Sequence, residues 1–374
     1  MKKKNLPEWA PVNAGKEFAS EIIPRLDLIE TTSIEKQRVE PYSQETKRKM
    51  KTNLSISELK NGILECNKTI LAQAITLIES NAEKHFDKAQ LLLTEILPFT
   101  GNSVRIGISG MPGAGKSTFI ESFGLFLIKN KKKPAILAID PSSTLSKGSI
   151  LGDKTRMEEL SKEKNSFIRP SPTAGNLGGV ARKTKETVLL CEAAGYDVIL
   201  IETVGVGQNE VTVRSMVDFF LLILISGAGD ELQGIKKGVI ELADAILINK
   251  ADGNNIKLAE ATANLYNNSL HYLTDATLGW KTKANICSAL EKTGIDNIWN
   301  EINDFITHTK KNNIFHERRT IQNKQWFSNM LNEEILYQFY KSDKVKANIE
   351  KIINEILSNQ ITPAVGVKKL LNME

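Results

Sequence analysis

The chain reads as an α/β protein, a mostly parallel sheet flanked by helices, and three observations predict it. From Val104 onward, continuous apolar runs of strand length alternate with helical patterns, as expected for strands buried on both faces. One of those strands, Val104-Arg105-Ile106-Gly107-Ile108, leads into Gly110-Met111-Pro112-Gly113-Ala114-Gly115-Lys116-Ser117-Thr118, which fits Gly-x-x-x-x-Gly-Lys-Ser and opens a helix running to Lys129. Polar and acidic residues then stand at the ends of the later apolar runs, the carboxyl edge where open parallel sheets bind ligands.

The bulk properties narrow the class. At 374 residues the chain has ample core to be stable without staples. Its three cysteines, Cys66, Cys191 and Cys287, are widely spaced in apolar runs, which suggests a reducing, cytoplasmic setting and no Cys-x-x-Cys metal site. A net charge of +5 and a pI near 8.8, with acids and bases interspersed, give no reason to expect a nucleic acid partner. The longest apolar run, Phe219 to Ile225, is too short to cross a bilayer, so no membrane partner is expected either.

In chain order, residues 1–54 read as a poorly ordered extension. Four of the eleven prolines fall there among dispersed charges, and its several glutamates argue against a transit peptide. A helical segment follows over 55–99. Ser55-Ile56-Ser57-Glu58 is a capping box, a second helix spans about Lys68 to Glu79, and a third spans about Ala82 to Leu97, where Pro98 stops it. Phe86, Ala89, Leu93 and Ile96 form the apolar stripe expected of that third helix. The nucleotide-binding domain, 100–309, holds strands near 104–108, 135–139, 166–169, 198–201, 219–225, 245–248 and 284–287. The last part, 310–374, is helical, with Leu336, Phe339 and Tyr340 on one helix and Ile349, Ile352, Ile353 and Ile356 at i, i+3, i+4 and i+7 on the next.

The chemistry sits in the connections. Gly110, Gly113 and Gly115 let successive N–H groups turn toward phosphate oxygens, and the following helix adds its positive end. Lys116 reaches the β- and γ-phosphates, and Ser117 offers a hydroxyl to Mg²⁺. Asp140 and Glu202 each end an apolar strand, where a carboxylate is costly unless a cation such as nucleotide-bound Mg²⁺ meets it; Asp153 is a further candidate. Asp140 and Glu202 also fit a plain solvated loop start, and Asp153 a helix cap. Asn249-Lys250-Ala251-Asp252 reads the base: Asn249 faces the purine N7 edge, the Lys250 stem lies over the ring, and Asp252 accepts both N–H groups of guanine, a donor pair that adenine lacks. Ser288-Ala289-Leu290 supplies backbone amides near the guanine oxygen, with Cys287 as strand core just before it. Glycine-rich stretches at 174–179, 203–208 and 227–233 suit switching.

Together these strings, with Ala138 to Ser143, Ile150 to Met157 and Gly229 to Lys237, resemble the methylmalonyl-CoA mutase-associated GTPases, the methylmalonic aciduria type A group, over roughly Ile56 to the end. The resemblance implies a homodimeric SIMIBI-class P-loop GTPase, dimerising through the helices of 310–374. It would bind GTP and GDP with Mg²⁺ and serve an adenosylcobalamin-dependent methylmalonyl-CoA mutase or a related acyl-CoA mutase. There it would gate cofactor loading and protect the mutase, meeting adenosylcobalamin only through that partner. It also maps the Mg²⁺ carboxylates onto Asp140, Asp153 and Glu202 and a partner-sensing switch onto Asp230, Gln233 and Lys236. That switch opens with Ser226-Gly227 where the family pattern has Pro-Gly.

Hydrolysis would be in-line attack of water on the γ-phosphate, with Lys116, Asp140 and Glu202 at the catalytic centre. Arg156 and Arg182 are the internal arginine candidates, and without a committed finger the intrinsic rate is expected to be slow and partner-accelerated. Competing readings are a transport-associated ATPase or kinase, a nickel-insertion GTPase and a non-hydrolysing interaction module. The four histidines, His85, His271, His308 and His316, have no ligand spacing, which disfavours metal storage or direct cobalamin ligation.

Overall fold

The computed structural model describes residues 54–80, 82–140, 157–172, 177–203, 209–227 and 237–372. The expectations for residues 1–53, for Asp153, Arg156, Asp230, Gln233 and Lys236, and for most of the glycine-rich stretches lie outside them.

Three short helices lead in: α1 (Ile56–Leu64), α2 (Lys68–Glu79) and α3 (Glu83–Ile96). Ser55 caps α1 by accepting from Glu58 N at 3.2 Å, while the Glu58 carboxylate accepts from Ser55 N at 2.8 Å. Such a reciprocal cap is worth about 1 kcal/mol. Asn67 does the same for α2, accepting from the amides of Thr69 and Ile70. Their apolar faces, with Ile63, Leu71, Ile75, Leu92 and Ile96 fully buried, join one core cluster. The expected stripe on α3 needs one correction. Phe86 is 49 % exposed, and Leu92 takes its place in the core. The Phe86 ring instead carries the Arg182 guanidinium 5.2 Å above it, which recovers part of the cost of its exposure.

The sheet comprises β1 (Val104–Gly110), β2 (Pro134–Asp140), β3 (Phe167–Pro172), β4 (Val198–Thr203), β5 (Phe219–Ile225), β6 (Ala245–Asn249) and β7 (Ala284–Ile286). The order is β3-β2-β4-β1-β5-β6-β7, and every pair is parallel. Alternation on β5 shows why its run is unbroken: Phe219, Leu221 and Ile223 feed one core cluster while Phe220, Leu222 and Leu224 feed the other. The helices between strands are α4 (Lys116–Lys129), α5 (Glu158–Lys162), α6 (Leu177–Ala193), α7 (Asn209–Arg214), α8 (Lys237–Ile240) and α9 (Ile256–Leu270), followed by α10 (Ile295–Lys311). Later strands depart from β1 in opposite directions, β4 on one side and β5 on the other. This reversal opens a crevice at the carboxyl end of β1.

The chain breaks at Asn312–Asn313, where Asn313 takes φ +61°, and continues as α11 (Ile314–Lys341), α12 (Asp343–Leu357) and α13 (Pro363–Leu371). Of the isoleucine stripe on α12, Ile352 is buried, whereas Ile353 is exposed. On α11, Leu336 and Tyr340 are exposed along with Phe327, Leu331 and Ile335. No helix among the described residues is long and apolar enough to cross a membrane.

A half-buried acid, Glu301, lies between β7 and α10. Asn285 Nδ2 donates to Glu301 Oε2 at 2.6 Å, while Glu301 Oε1 is buried without a partner. Burial pushes this carboxyl up to about 7 from its usual 4.5, against the pull of Lys283 and Asn285. The folded chain therefore holds this proton more tightly than the unfolded chain. The resulting stability is present below about pH 4.5 and is lost as pH rises through 7. Glu301→Gln is expected to raise unfolding stability at pH 8 by roughly 2 kcal/mol and to change little at pH 4. Denaturant melts at both pH values check it, and an equal effect at both would contradict the assignment.

Candidate functional site

The site is built at the carboxyl edge of the sheet from the β1–α4 turn outward. Gly110 has φ +150°, and a Cβ there would lie 2.1 Å from the Ile223 carbonyl oxygen of the neighbouring strand. Gly115 has φ +84°, and a Cβ there would meet Asn249 Nδ2 at 2.6 Å. Both positions exclude side chains, so the turn stays close to the neighbouring strands. The N-terminus of α4 begins at once with Lys116, a ready anion site. Gly115→Ala is expected to destabilise the fold by roughly 2 kcal/mol and to loosen Asn249. A thermal melt with a parallel nucleotide titration checks it, and unchanged values in both would contradict the packing described.

Lys116 is buried, and its Nζ donates to the carbonyls of Gly110 (2.6 Å) and Met111 (3.0 Å). Burial pulls the ammonium below its usual range, opposed by the carboxylates of Glu202 and, more weakly, Glu210. Glu202 is only 4 % exposed, and Ser117 Oγ donates to its Oε1 at 3.4 Å. Register explains the meeting: Glu202 on β4 stands level with Ile108 on β1, one strand away. Ser117 and Glu202 thus present a hydroxyl and a carboxylate oxygen together, both hard donors of the kind Mg²⁺ takes. Asp140 is the last residue of β2, and its side chain lies outside those described. Thr203 Oγ1 donates to Ser109 Oγ at 3.0 Å and fastens the ends of β4 and β1 together.

Two strands across, Asn249 ends β6 fully buried and uses both ends of its amide. Nδ2 donates to the Ala114 carbonyl at 2.8 Å, and Oδ1 accepts from the Ala289 amide at 3.1 Å. It therefore ties the phosphate turn to the last loop. Lys250 follows with φ +61°, a conformation that costs about 1 kcal/mol and recurs at functional sites. Its carbonyl is held by Asn255 Nδ2 at 2.6 Å. Asp252 is oriented by Ser288, whose hydroxyl donates to Oδ2 at 2.7 Å. Cys287 is buried, with its thiol pushed up to about 12 by burial, and acts through its backbone: its amide donates to Ile248 O and its carbonyl accepts from Ala251 N.

The structure thus brings together Gly110 to Thr118, Glu202, Asn249, Lys250, Asp252 and Cys287 to Ala289. It does not bring Arg182 in, since its Nε pairs with Glu186 at 3.3 Å and its guanidinium covers Phe86. Sequence reasoning missed Ser122, whose hydroxyl donates to the Ala289 carbonyl at 2.6 Å from the middle of α4. It also missed the buried Glu210 beside Lys116. No local pattern signals either one, because each becomes relevant only once strands distant in sequence are neighbours.

A phosphate turn at the reversal point of a parallel sheet, with an Asn-Lys-x-Asp loop at the same edge, defines a P-loop GTPase. The chain belongs to the family described as Methylmalonyl Co-A mutase-associated GTPase MeaB, whose pattern matches residues 71–344. It is 43 % identical to GTPase ArgK of Escherichia coli (strain K12), over 84 % of this chain and 94 % of that one. It is 41 % identical to the Methylmalonic aciduria type A homolog, mitochondrial, of Mus musculus, over 84 % of this chain and 79 % of that one. The crystal structure of an LAO/AO transport system kinase superimposes with TM-score 0.69 at 36 % identity, covering 85 % of this chain and 96 % of that one. The fold expected from sequence and the GTPase class both stand on these findings.

Proposed function

We propose that this protein is the GTP-hydrolysing chaperone of an adenosylcobalamin-dependent methylmalonyl-CoA mutase or a related acyl-CoA mutase, gating cofactor loading and protecting the mutase. The observation that carries it is the coincidence of an Asn-Lys-x-Asp loop, its acid held by Ser288, with a family match that names methylmalonyl-CoA mutase and spans most of the chain. Adenosylcobalamin is met only through the partner. The cysteines being unpaired is in keeping with a cytoplasmic setting.

In hydrolysis, the amides of Gly113 to Ser117 and the Lys116 ammonium take up charge that grows on the phosphate oxygens as water attacks. Mg²⁺ would be held by Ser117 with Glu202, Asp140 and Asp153, and supplies charge neutralisation at the β- and γ-phosphates when bound. Asp252, fixed by Ser288, selects guanine. The kinase label of the superimposed structure belongs to that protein; the Asp252–Ser288 pair here favours guanine over adenine.

Asp230, Gln233 and Lys236 would sense the mutase. The exposed Phe327, Leu331 and Ile335, spaced one turn apart on α11, form a homodimer face. Phe327→Glu with Leu331→Glu is expected to convert a dimer to a monomer in sedimentation analysis, and an unchanged mass would remove the face. The decisive experiment is capture from native extract with the protein locked by a non-hydrolysable GTP analogue. A cobalamin-dependent mutase among the retained proteins supports the reading, and its absence from an extract known to contain one contradicts it.

A further inference from the structure

We propose that Asp244 couples the nucleotide pocket to the C-terminal helices, so that the nucleotide bound at the P-loop sets how α11 is seated. The inference rests on the GTPase reading of that pocket. Asp244 is fully buried just before β6, at the opposite end of that strand from Asn249. Its carboxylate is shared. Arg214 grips it with two bonds, Nη1 to Oδ2 at 2.7 Å and Nη2 to Oδ1 at 3.1 Å. The Thr277 hydroxyl donates to Oδ1 at 2.5 Å and accepts from Arg214 at 3.2 Å and from Arg318 at 2.5 Å. Arg318 itself lies 3.9 Å from Asp244.

The two arginines come from the two elements to be coupled. Arg318 is on the first turns of α11. Arg214 is the last residue of α7, a helix of six residues and so about 9 Å long. The other end of α7 carries the buried Glu210, eight residues after Glu202, which meets Ser117, and seven after Thr203, which is bonded to Ser109 at the end of β1. Val213, next to Arg214, lies against β1 so closely that a Cβ on Gly107 would come within 2.8 Å of it. A rigid helix this short has no slack. Glu210 and Arg214 stand about one turn apart, so a shift of one carries the other.

Seating of α11 alone does not require this arrangement. Arg319 already fastens that helix by two hydrogen bonds to the Asp218 carboxylate and by donating to the carbonyls of Gly101 and Ser103, all at the start of β1 and β5. Gln322 adds a bond to the Val217 carbonyl at 2.8 Å. Arg318 also donates to the Asp218 carbonyl, and Gln322 reaches the Arg214 carbonyl at 3.5 Å, but among the described residues of α11 Arg318 is the one that shares the side chains of Asp244 and Thr277 with Arg214. Two guanidinium groups sharing one carboxylate and one hydroxyl cannot move independently, because displacement of either leaves the others incompletely paired in a buried site. The charge of Arg214 also tells on Arg318, pulling its proton affinity down after burial does so, against Asp244.

Amide hydrogen exchange across residues 314–330 of the full chain, with GDP or with a non-hydrolysable GTP analogue, tests it. Coupling of the usual strength predicts exchange rates differing by about 5-fold or more between the two nucleotides. In Thr277→Val, which removes the shared hydroxyl, and in Arg318→Lys, which keeps the charge but not the fork, the difference should shrink to roughly 2-fold or less with α11 still protected through Arg319. Nucleotide binding is measured on the same samples by calorimetry. Binding with no difference in the wild type, or a difference that persists in both variants, overturns the coupling. Absence of binding overturns the pocket and the coupling with it.

Discussion

Lys116→Ala is expected to abolish measurable GTP turnover, lowering kcat/KM by roughly 10³-fold, while the chain stays folded. The ammonium is the one cation held by the phosphate turn itself, and its bonds to the Gly110 and Met111 carbonyls place it over the bend where phosphate oxygens would sit. Replacement removes one hydrogen bond from each of those carbonyls and leaves the backbone of the turn unchanged. The cost to the fold should therefore stay near 1 kcal/mol. Single-turnover hydrolysis beside a thermal melt checks both halves. Full activity would show that Gly110 to Thr118 is only a glycine-rich turn.

Asp252→Asn is expected to change which base is bound. A carboxylate accepts both the ring N–H and the amino group of guanine, whereas an amide offers one acceptor and one donor. GTP affinity should fall by roughly 10²-fold or more, and affinity for xanthosine triphosphate, which carries a carbonyl in place of that amino group, should rise. Ser288 sharpens the effect by holding Oδ2 at 2.7 Å, so the group is already aimed before the base arrives. Competition titration with the two nucleotides reads the change directly. Equal GTP affinity in variant and wild type would remove Asp252 from base recognition.

Much of this site was legible in the sequence because its parts are local. A phosphate turn must follow a strand and precede a helix, and an Asn-Lys-x-Asp loop must end another strand, so spacing alone marked Gly110 to Thr118 and Asn249 to Asp252 as stretches that meet at one edge of the sheet. The buried alternation on β5 and the capping box at Ser55 were equally local. Phe86 was misjudged for a physical reason: helical spacing marks which side of α3 a residue occupies, while the Arg182 guanidinium lets an aromatic ring sit at the edge of that face. Ser122, Glu210 and the Asp244 cluster were invisible. Their partners lie far away in sequence, as with Ser122 and Ala289 or Arg214 and Thr277, and only the strand order brings them together. The double role of Asn249 was also hidden, since its bond to Ala114 depends on β6 lying two strands from β1.

Isothermal calorimetry of the folded chain with GTP and Mg²⁺, set against ATP and Mg²⁺, is the most direct measurement. A saturable heat for GTP at one site per chain, with none for ATP, is the predicted result. No heat for GTP, or equal heats for the two nucleotides, would contradict a pocket made by the phosphate turn and Asp252.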